Sequence, residues 1–140
     1  MTEPFTVHVT VRAYETDAQG HLNSNVYLQY AEHARWELLR AAGINQTDLL
    51  ANGVGPINLE TTVRFMRESL AGDELAVTCE FVWGSGKTFQ VQQRFLRADG
   101  EVAAMVTNVG GLLDLGARKL VSEPHEYFQG VAGKPELLGL

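Results

Sequence analysis

The first half of the chain changes its hydrophobic period once. Residues 5–11 alternate apolar and polar side chains with a period of two, which predicts a β-strand with one buried face. From Asn25 to about Ala42, apolar side chains recur every three or four residues, which predicts an amphipathic helix. Ser24 or Asn25 is a plausible N-cap, and Gly43 is a plausible residue just past the helix C-terminus. The apolar stripe of this helix is rich in alanine, so it suits close packing against a sheet.

The second half of the chain reads as strands joined by tight turns. A short helical turn is expected over 45–52, which Asn45 or Thr47 would cap. Alternation then predicts strands over 57–65, 75–83 and 89–95, and Asp99-Gly100 signals a hairpin. Residues 101–115 are more evenly apolar, which predicts a last strand that is covered on both faces. The tail from Leu120 onward predicts a short helix followed by a frayed end. One long helix beside a run of antiparallel strands is typical of an α+β fold.

Composition and charge exclude several classes of function. The 140 residues are 45% hydrophobic and 20% charged, the balance of an ordinary globular domain, and we expect a single domain over 1–140. The net charge of −6 disfavours a nucleic-acid-binding surface. The single cysteine, Cys79, excludes an intrachain disulfide, and no Cys/His cluster has the spacing of a zinc site. No stretch has the length of a membrane span and the N-terminus lacks a signal-peptide pattern, so we expect a cytoplasmic protein.

A polar bend between the first strand and the helix carries the candidate chemistry. The candidate residues are Asp17, His21, Asn23, Ser24 and Asn25, and Gly20 allows a tight turn among them. A carboxylate in a loop that feeds a helix N-terminus can lie near backbone N–H groups that stabilise an oxyanion. The alternative is that Asp17 is an ordinary turn residue. The number of polar groups in so short a segment exceeds what a turn needs, which favours a site.

Two further groups of residues admit a functional interpretation. Gly84–Thr88 contains Gly-Lys-Thr, but the first glycine of a phosphate loop would fall at Phe81, and a strand follows instead of a helix. Lys87, on a glycine turn, can still contact a phosphate of an extended ligand. The alternative is that this segment is an exposed hairpin turn with no ligand. Glu32 and Arg35 are near neighbours on the predicted helix. They form a solvated or interfacial ion pair, or else Glu32 lies close to the substrate.

The segment Tyr14–Arg35 closely resembles the hotdog-fold acyl-CoA thioesterases of the 4-hydroxybenzoyl-CoA thioesterase family. The resemblance rests on the string Asp-x-x-Gly-His-x-Asn-x-x-x-Tyr at 17–27, then on Glu32–Arg35, Pro56, Val63–Phe65, Gly72-Asp73 and Gly86-Lys87. It covers roughly residues 5–125, the expected domain core. It implies a long central helix wrapped by a five-stranded antiparallel sheet. It also implies self-association as a homodimer or homotetramer, with active sites at the subunit interface.

The resemblance further implies hydrolysis of an acyl-CoA thioester. Asp17 would act as nucleophile or general base, and backbone N–H groups near Ser24 and Asn25 would form the oxyanion hole. His21 and Asn23 would hold the loop. The implied substrate and coenzyme A contacts are Tyr27, Glu32, Lys87 and Thr88. Coenzyme A would be part of the substrate, with no metal and no separate cofactor.

Three alternatives stay open. One is a thioesterase acting on an acyl chain bound to an acyl carrier protein, although the negative charge of the chain disfavours docking of an acidic carrier. Another is a hotdog enoyl-thioester hydratase or dehydratase that uses Asp17 and His21 as acid–base partners. The third is a non-enzymatic acyl-thioester-binding module. Candidate walls of an acyl channel, with core packing as the alternative for each, are Tyr27, Tyr30, Trp36, Leu59 and Phe65.

Overall fold

One long helix lies against one antiparallel sheet. The computed structural model describes residues 3–140. The helices are α1 (Ser24–Ala41), α2 (Gln46–Ala51) and α3 (Pro124–Val131), with single-turn 3₁₀ helices at Ala13–Glu15 and Pro135–Leu138. The strands are β1 (Phe5–Thr10), β2 (Val54–Phe65), β3 (Glu74–Trp83), β4 (Thr88–Arg97), β5 (Val102–Asp114) and the two-residue β6 (Lys119–Leu120).

The sheet is antiparallel throughout, with the strand order β1-β3-β4-β5-β2 and β6 paired to β5. Within the described residues, β1 and β2 are therefore the two edge strands. The register of β2 against β5 shifts between Asn58 and Glu60, which leaves Leu59 in a β-bulge. After the bulge, Thr61 and Val63 lie opposite the buried Asn108 and Val106, so they face the core.

The alternating strands and the periodic helix bury each other's apolar faces, as the pattern predicted. The buried residues of α1 are Tyr27, Tyr30, Ala31, Ala34, Leu38 and Leu39. They pack on inward-facing residues of the sheet such as Leu75, Val77 and Phe95, each fully buried. The expected α+β hotdog architecture, with a long helix and five long antiparallel strands, is confirmed. None of the helices within residues 3–140 is long and apolar enough to span a membrane.

The caps of α1 correct one prediction and confirm another. The N-cap is Asn23, and not Ser24 or Asn25, because the Asn23 side chain accepts the N–H of Asn25. The Asn23 N–H donates to the Glu15 carbonyl at 2.9 Å, so the bend fixes the residue at which the helix starts. Gly43 follows the helix with φ +91°, a left-handed conformation that glycine adopts without strain, as predicted.

The tail after β6 is anchored, and the prediction of a frayed end was wrong. After α3, the turn Pro135–Leu138 returns to the core, and Leu138 is 1% exposed. The indole Nε1 of Trp83 donates to the Leu138 carbonyl at 2.7 Å. Phe128 of α3 joins the aromatic rings of β3 and β4. These contacts join residues that are far apart in the chain, so the hydrophobic pattern of the tail alone did not predict that it packs on the core.

Candidate active site

Asp17 is held in a tight turn by main-chain hydrogen bonds. Its Oδ1 accepts the N–H of Gln19 at 2.9 Å and the N–H of His21 at 3.0 Å. Its own N–H donates to the His21 carbonyl at 2.8 Å, and its carbonyl accepts the N–H of Gly20 at 3.0 Å. Gly20 has φ +81°, which explains the glycine at this position. The turn therefore orients the Asp17 carboxylate without help from another side chain.

The same hydrogen bonds set the charge of Asp17. The carboxylate is exposed, and the backbone N–H groups of His21 and then Gln19 lower its pKa from the ordinary value. Both donors stabilise the ionised form. Asp17 is therefore an anion at neutral pH, with Oδ2 not engaged by the two N–H groups that hold Oδ1.

An open cavity of about 420 Å³ lies over this turn. The bend and α1 line it with Asp17, His21, Asn23, Ser24 and Tyr27. The opposite side consists of Phe65, the last residue of β2, and of residues 66–69 that follow it. The structure thus brings together five of the nine site residues predicted from sequence. Phe65, a predicted channel wall, packs edge-on against Tyr27 with ring centroids 5.4 Å apart.

The segment that follows β2 supplies residues that the sequence analysis missed. Glu68 Oε2 lies 2.8 Å from Nε2 of His21. Ser69 is fully buried, accepts the hydroxyl of Tyr27 on Oγ at 3.0 Å, and accepts the N–H of Leu22 on its carbonyl at 2.7 Å. The only sequence signal was the polar run Arg67-Glu68-Ser69, one residue beyond the end of an alternating strand. Through these contacts, the segment after β2 holds both the bend, at His21 and Leu22, and the first turn of α1, at Tyr27.

The N-terminus of α1 faces the same cavity through Ser24. The Asn23 side chain accepts the N–H of Asn25 at 3.3 Å, and the Asn23 carbonyl accepts the N–H of Val26 at 2.9 Å. The N–H groups of a first helical turn lack intrahelical partners, and the helix dipole makes that end attractive to negative charge. Because Asn25 is capped by Asn23, Ser24 is the better placed donor for an anion.

Glu15 connects the bend to α1. Its carboxylate accepts the Tyr30 hydroxyl and the N–H of Arg12, the latter at 3.0 Å. Burial and this acidic neighbour raise the pKa of Tyr30, so its hydroxyl stays protonated. Tyr30, a predicted channel wall, is thus a buried structural residue in this chain.

A second cavity, of about 320 Å³, lies between α1 and the sheet. Glu32, Arg35 and Trp36 line it from α1, and Asn58 and Asn108 line it from β2 and β5. A chain of hydrogen bonds runs below it. Arg35 Nη1 donates to Gln93 Oε1 at 3.1 Å, and Asn108 Nδ2 donates to the same oxygen at 3.1 Å. The structure therefore places Glu32 at a cavity with both polar and apolar walls, and Asp17 does not line this cavity.

The remaining predicted contacts lie outside both cavities. Lys87 and Thr88 are exposed, at the end of the turn between β3 and β4 and at the start of β4. Leu59, a predicted channel wall, lies on the β2 bulge and is 50% exposed. Within one chain, these residues are not assembled with Asp17.

Comparison with known proteins settles the family. The sequence profile of the thioesterase-like superfamily matches residues 11–131, which include the Asp17 bend, α1 and all of the sheet except β1. The chain belongs to the thioesterase-like superfamily. This confirms the family resemblance of the 17–27 string, and it supports thioester hydrolysis as the reaction class.

Individual relatives show how far the sequence similarity extends. The long-chain acyl-CoA thioesterase FadM of Escherichia coli K12 is 25% identical over 115 residues, which cover 81% of this chain and 86% of FadM. The chloroplastic acyl-acyl carrier protein thioesterase ATL3 of Arabidopsis thaliana is 35% identical over 77 residues, which cover 55% of this chain. That match spans 40% of the length of ATL3.

The fold is also shared with solved structures. The 1,4-dihydroxy-2-naphthoyl-CoA thioesterase from Synechocystis superposes with a TM-score of 0.82 and 19% sequence identity. The match covers 92% of this chain and 96% of that one. At this identity, the likeness establishes a common architecture.

Proposed function

We propose that the protein hydrolyses an acyl-CoA thioester to a free acid and coenzyme A, with Asp17 as the attacking or activating carboxylate. The observation that carries the proposal is that Asp17 and the first residue of α1, Ser24, line one cavity. A thioester carbonyl bound between them would have an anion on one side and a helix N-terminus on the other. The tetrahedral oxyanion would then form where the N–H of Ser24 can stabilise it.

Two chemical roles for Asp17 fit this arrangement. As a nucleophile, Oδ2 adds to the carbonyl carbon, the C–S bond breaks, and the resulting acyl anhydride is hydrolysed by water while the thiolate takes up a proton. As a general base, Oδ2 takes the proton of a water that attacks the carbonyl directly. The lowered pKa of Asp17 keeps the carboxylate ionised at neutral pH, which is the form that both roles require.

Self-association is part of the proposal. Glu32, Lys87 and Thr88 do not line the Asp17 cavity of their own chain, so a homodimer or homotetramer with sites at the interface would let them contact a substrate held by a partner. Lys87 and Thr88 are the proposed contacts to the pantetheine or phosphates of coenzyme A. The cytoplasmic location and the lack of any need for a metal or separate cofactor stay predictions.

A second candidate is hydrolysis of an acyl chain carried by an acyl carrier protein. The observation that favours it is the 35% identity to ATL3, which is higher than the 25% identity to FadM, although over a shorter stretch. The two donors share the pantetheine thioester, so the same Asp17 cavity would serve either. They differ in the surface that must be recognised beyond the pantetheine arm.

The deciding experiment measures free thiol released from a panel of donors. Straight-chain acyl-CoAs of graded length, aryl-CoAs and the matching acyl-acyl carrier proteins are compared by kcat/KM under one set of conditions. The proposal expects thiol release from acyl-CoAs at a higher kcat/KM than from the carrier protein donors. The reverse order would select the second candidate. Enoyl-CoA hydration faster than thiol release, or acyl-CoA binding with no turnover of any donor, would refute hydrolysis.

A further inference from the structure

Arg35 of α1 is a cation that lines a cavity without an anionic partner. The residue is half-buried, and its guanidinium forms no ion pair with any carboxylate of residues 3–140. Glu32 stands three residues earlier on the same helix, a spacing at which ion pairs form, yet the two side chains do not pair. Burial lowers the pKa of Arg35 from its ordinary value, because the surroundings disfavour the charged form. An anion held against the guanidinium would offset that cost.

The guanidinium of Arg35 keeps hydrogen-bond donors open to the cavity. Its Nη1 donates to Gln93 Oε1 at 3.1 Å, the one hydrogen bond that it forms within the described residues. The amide of Gln93 is itself fixed, since its Oε1 also accepts Asn108 Nδ2 at 3.1 Å and its Nε2 donates to the Ala31 carbonyl at 2.9 Å. No buried side-chain nitrogen or oxygen of residues 3–140 lacks a partner. The other guanidinium nitrogens are therefore accessible, and a ligand in the cavity can accept from them.

The rest of this cavity, named here the Arg35 cavity, is mostly apolar. Its volume of about 320 Å³ lies at the small end of ligand pockets, which measure roughly 300–1,000 Å³. The amides of Asn58 and Asn108 line part of it. Its large apolar walls are Trp36, Leu39, Ile57, Phe81, Phe89 and Phe128. A ligand with one charged end and a small apolar body matches this distribution.

A carboxylate satisfies Arg35 better than other common ligand groups do. Its two oxygens match parallel N–H groups of a guanidinium, and it brings the missing negative charge. A carbonyl or a hydroxyl accepts a hydrogen bond but leaves the buried charge without a counter-ion. A phosphate group carries about two negative charges at neutral pH, so Glu32, which lines the same cavity, would repel it more strongly.

We propose that the Arg35 cavity is a binding site for a carboxylic acid, with the carboxylate on the guanidinium and the apolar body among the aromatic walls. No residue of 3–140 lines both this cavity and the Asp17 cavity, so the two sites are distinct within one chain. Two sources of the carboxylate fit the proposed function, and this choice of sources rests on that function. One is the free acid that hydrolysis releases, and the other is an acyl group with a second carboxylate at its far end.

Calorimetric titration of the full chain tests the site with hexanoate and phenylacetate, each compared with its neutral amide. The amide keeps the apolar body and the carbonyl but lacks the charge. We expect the native protein to bind each acid at least about tenfold more tightly than the amide. Arg35→Gln should remove that preference, and Arg35→Lys should keep part of it, since lysine retains the charge but not the paired N–H groups.

Glu32→Gln is the matched variant on the same helix. It removes the only carboxylate that lines the Arg35 cavity among residues 3–140, so acid binding should tighten about two- to fivefold with amide binding unchanged. Equal affinity of acid and amide in the native protein, or an acid preference that survives Arg35→Gln, would overturn the site. If Arg35→Gln does not fold, Glu32→Gln decides, because unchanged or weaker acid binding there contradicts a site in this cavity.

Kinetics with acyl-CoAs distinguish the two sources. If the acyl group carries the carboxylate, kcat/KM for an ω-carboxyacyl-CoA exceeds that for the methyl-ended acyl-CoA of equal length, and Arg35→Gln removes the difference. If the released acid is the ligand, free hexanoate inhibits the native protein more than Arg35→Gln, and the ω-carboxyl group gives no advantage. The absence of any effect of Arg35→Gln in every one of these measurements would overturn the proposal.

Asp17→Asn separates this inference from the proposed function. The variant should lose thiol release and keep the calorimetric preference for acid over amide, because Asp17 does not line the Arg35 cavity. Loss of that preference in Asp17→Asn would place the acid in the Asp17 cavity and overturn the inference. A native protein that binds the acids through Arg35 but hydrolyses no thioester would refute the proposed function and leave the binding site established.

Discussion

The backbone N–H of His21 donates to Oδ1 of Asp17 at 3.0 Å, and the His21 imidazole contacts Glu68 Oε2 at 2.8 Å. One residue thus holds the candidate catalytic carboxylate through its main chain and the far wall of the cavity through its side chain. Because the main chain orients Asp17, its charge can be removed while the turn is kept.

Replacement of Asp17 by Asn should abolish most of the hydrolysis without unfolding the protein. Asparagine keeps an Oδ1 that can accept the N–H groups of Gln19 and His21, but it is neither a nucleophile nor a base. We expect kcat for thiol release to fall by about 10²–10⁴-fold or more. Circular dichroism and thermal unfolding should stay close to those of the native protein. Hydrolysis within about twofold of the native rate would exclude Asp17 from the chemistry.

The pH dependence of kcat/KM should follow the lowered pKa of Asp17. The folded-state pKa lies below the ordinary value of 3.8, so the active anion is present above that value and is lost only as the pH falls through the folded pKa. We therefore expect a kcat/KM that is flat from about pH 5 to pH 7 and an acid limb below about pH 4.

The measurement uses a thioester whose own groups do not titrate in this range, in buffers of constant ionic strength. Enzyme returned to neutral pH after each acid exposure serves as the control for unfolding. An acid limb with a midpoint near pH 6 would assign the essential ionisation to a group other than Asp17.

The buried contact between Tyr27 and Ser69 should stabilise the junction between α1 and the segment after β2. The Tyr27 hydroxyl donates to Ser69 Oγ at 3.0 Å, and both residues are buried. Tyr27→Phe and Ser69→Ala each leave one polar group without its partner, at a cost of about 1–3 kcal/mol in the free energy of unfolding. Urea unfolding of the two variants measures these costs.

The double variant Tyr27→Phe/Ser69→Ala completes the cycle. It removes both partners, so its destabilisation should be smaller than the sum of the single effects. Strict additivity would show that the two groups do not interact in solution.

Mixed subunits should show whether the cavity that holds Glu32 and Asn58 contacts a substrate bound at Asp17 of the partner subunit. Asn58→Ala, which removes an amide from that cavity, should lower kcat/KM by about tenfold if the amide forms one hydrogen bond to the substrate. A hybrid dimer of Asp17→Asn and Asn58→Ala subunits has one site with both changes and one site with neither. An equal mixture should therefore recover about a quarter of the native activity after exchange of subunits, the share expected for random pairing in a two-fold dimer.

Recovery requires that Asn58 acts across the interface. If Asn58 served the Asp17 of its own chain, every hybrid site would carry one change, and the mixture would show only the average of the two variants. The native protein carried through the same dissociation and reassociation is the control for losses during exchange.

Local pattern predicted the elements of this fold well, because amphipathic periodicity is a property of neighbouring residues. The helix expected over Asn25–Ala42 spans Ser24–Ala41, and the strand expected over 101–115 spans Val102–Asp114. The N-cap was predicted one or two residues too late, at Ser24 or Asn25 instead of Asn23. Asn23 starts the helix because its main chain is tied to Glu15, a contact across the bend that no period reveals. The anchored tail was missed for the same reason, since Trp83 holds Leu138 from 55 positions away.

The sequence by itself determined the period of each element, the family string at 17–27, and therefore the loop that carries Asp17. Tertiary structure alone decided what faces that loop. Ser69 reaches Tyr27 from 42 positions away, and Gln93 reaches Arg35 from 58 positions away. It also decided that β2 ends the sheet, with Glu60 and Arg64 left exposed. Strand order and long-range contacts depend on which apolar faces pack together over the whole chain, so they cannot be read from the pattern of any one segment.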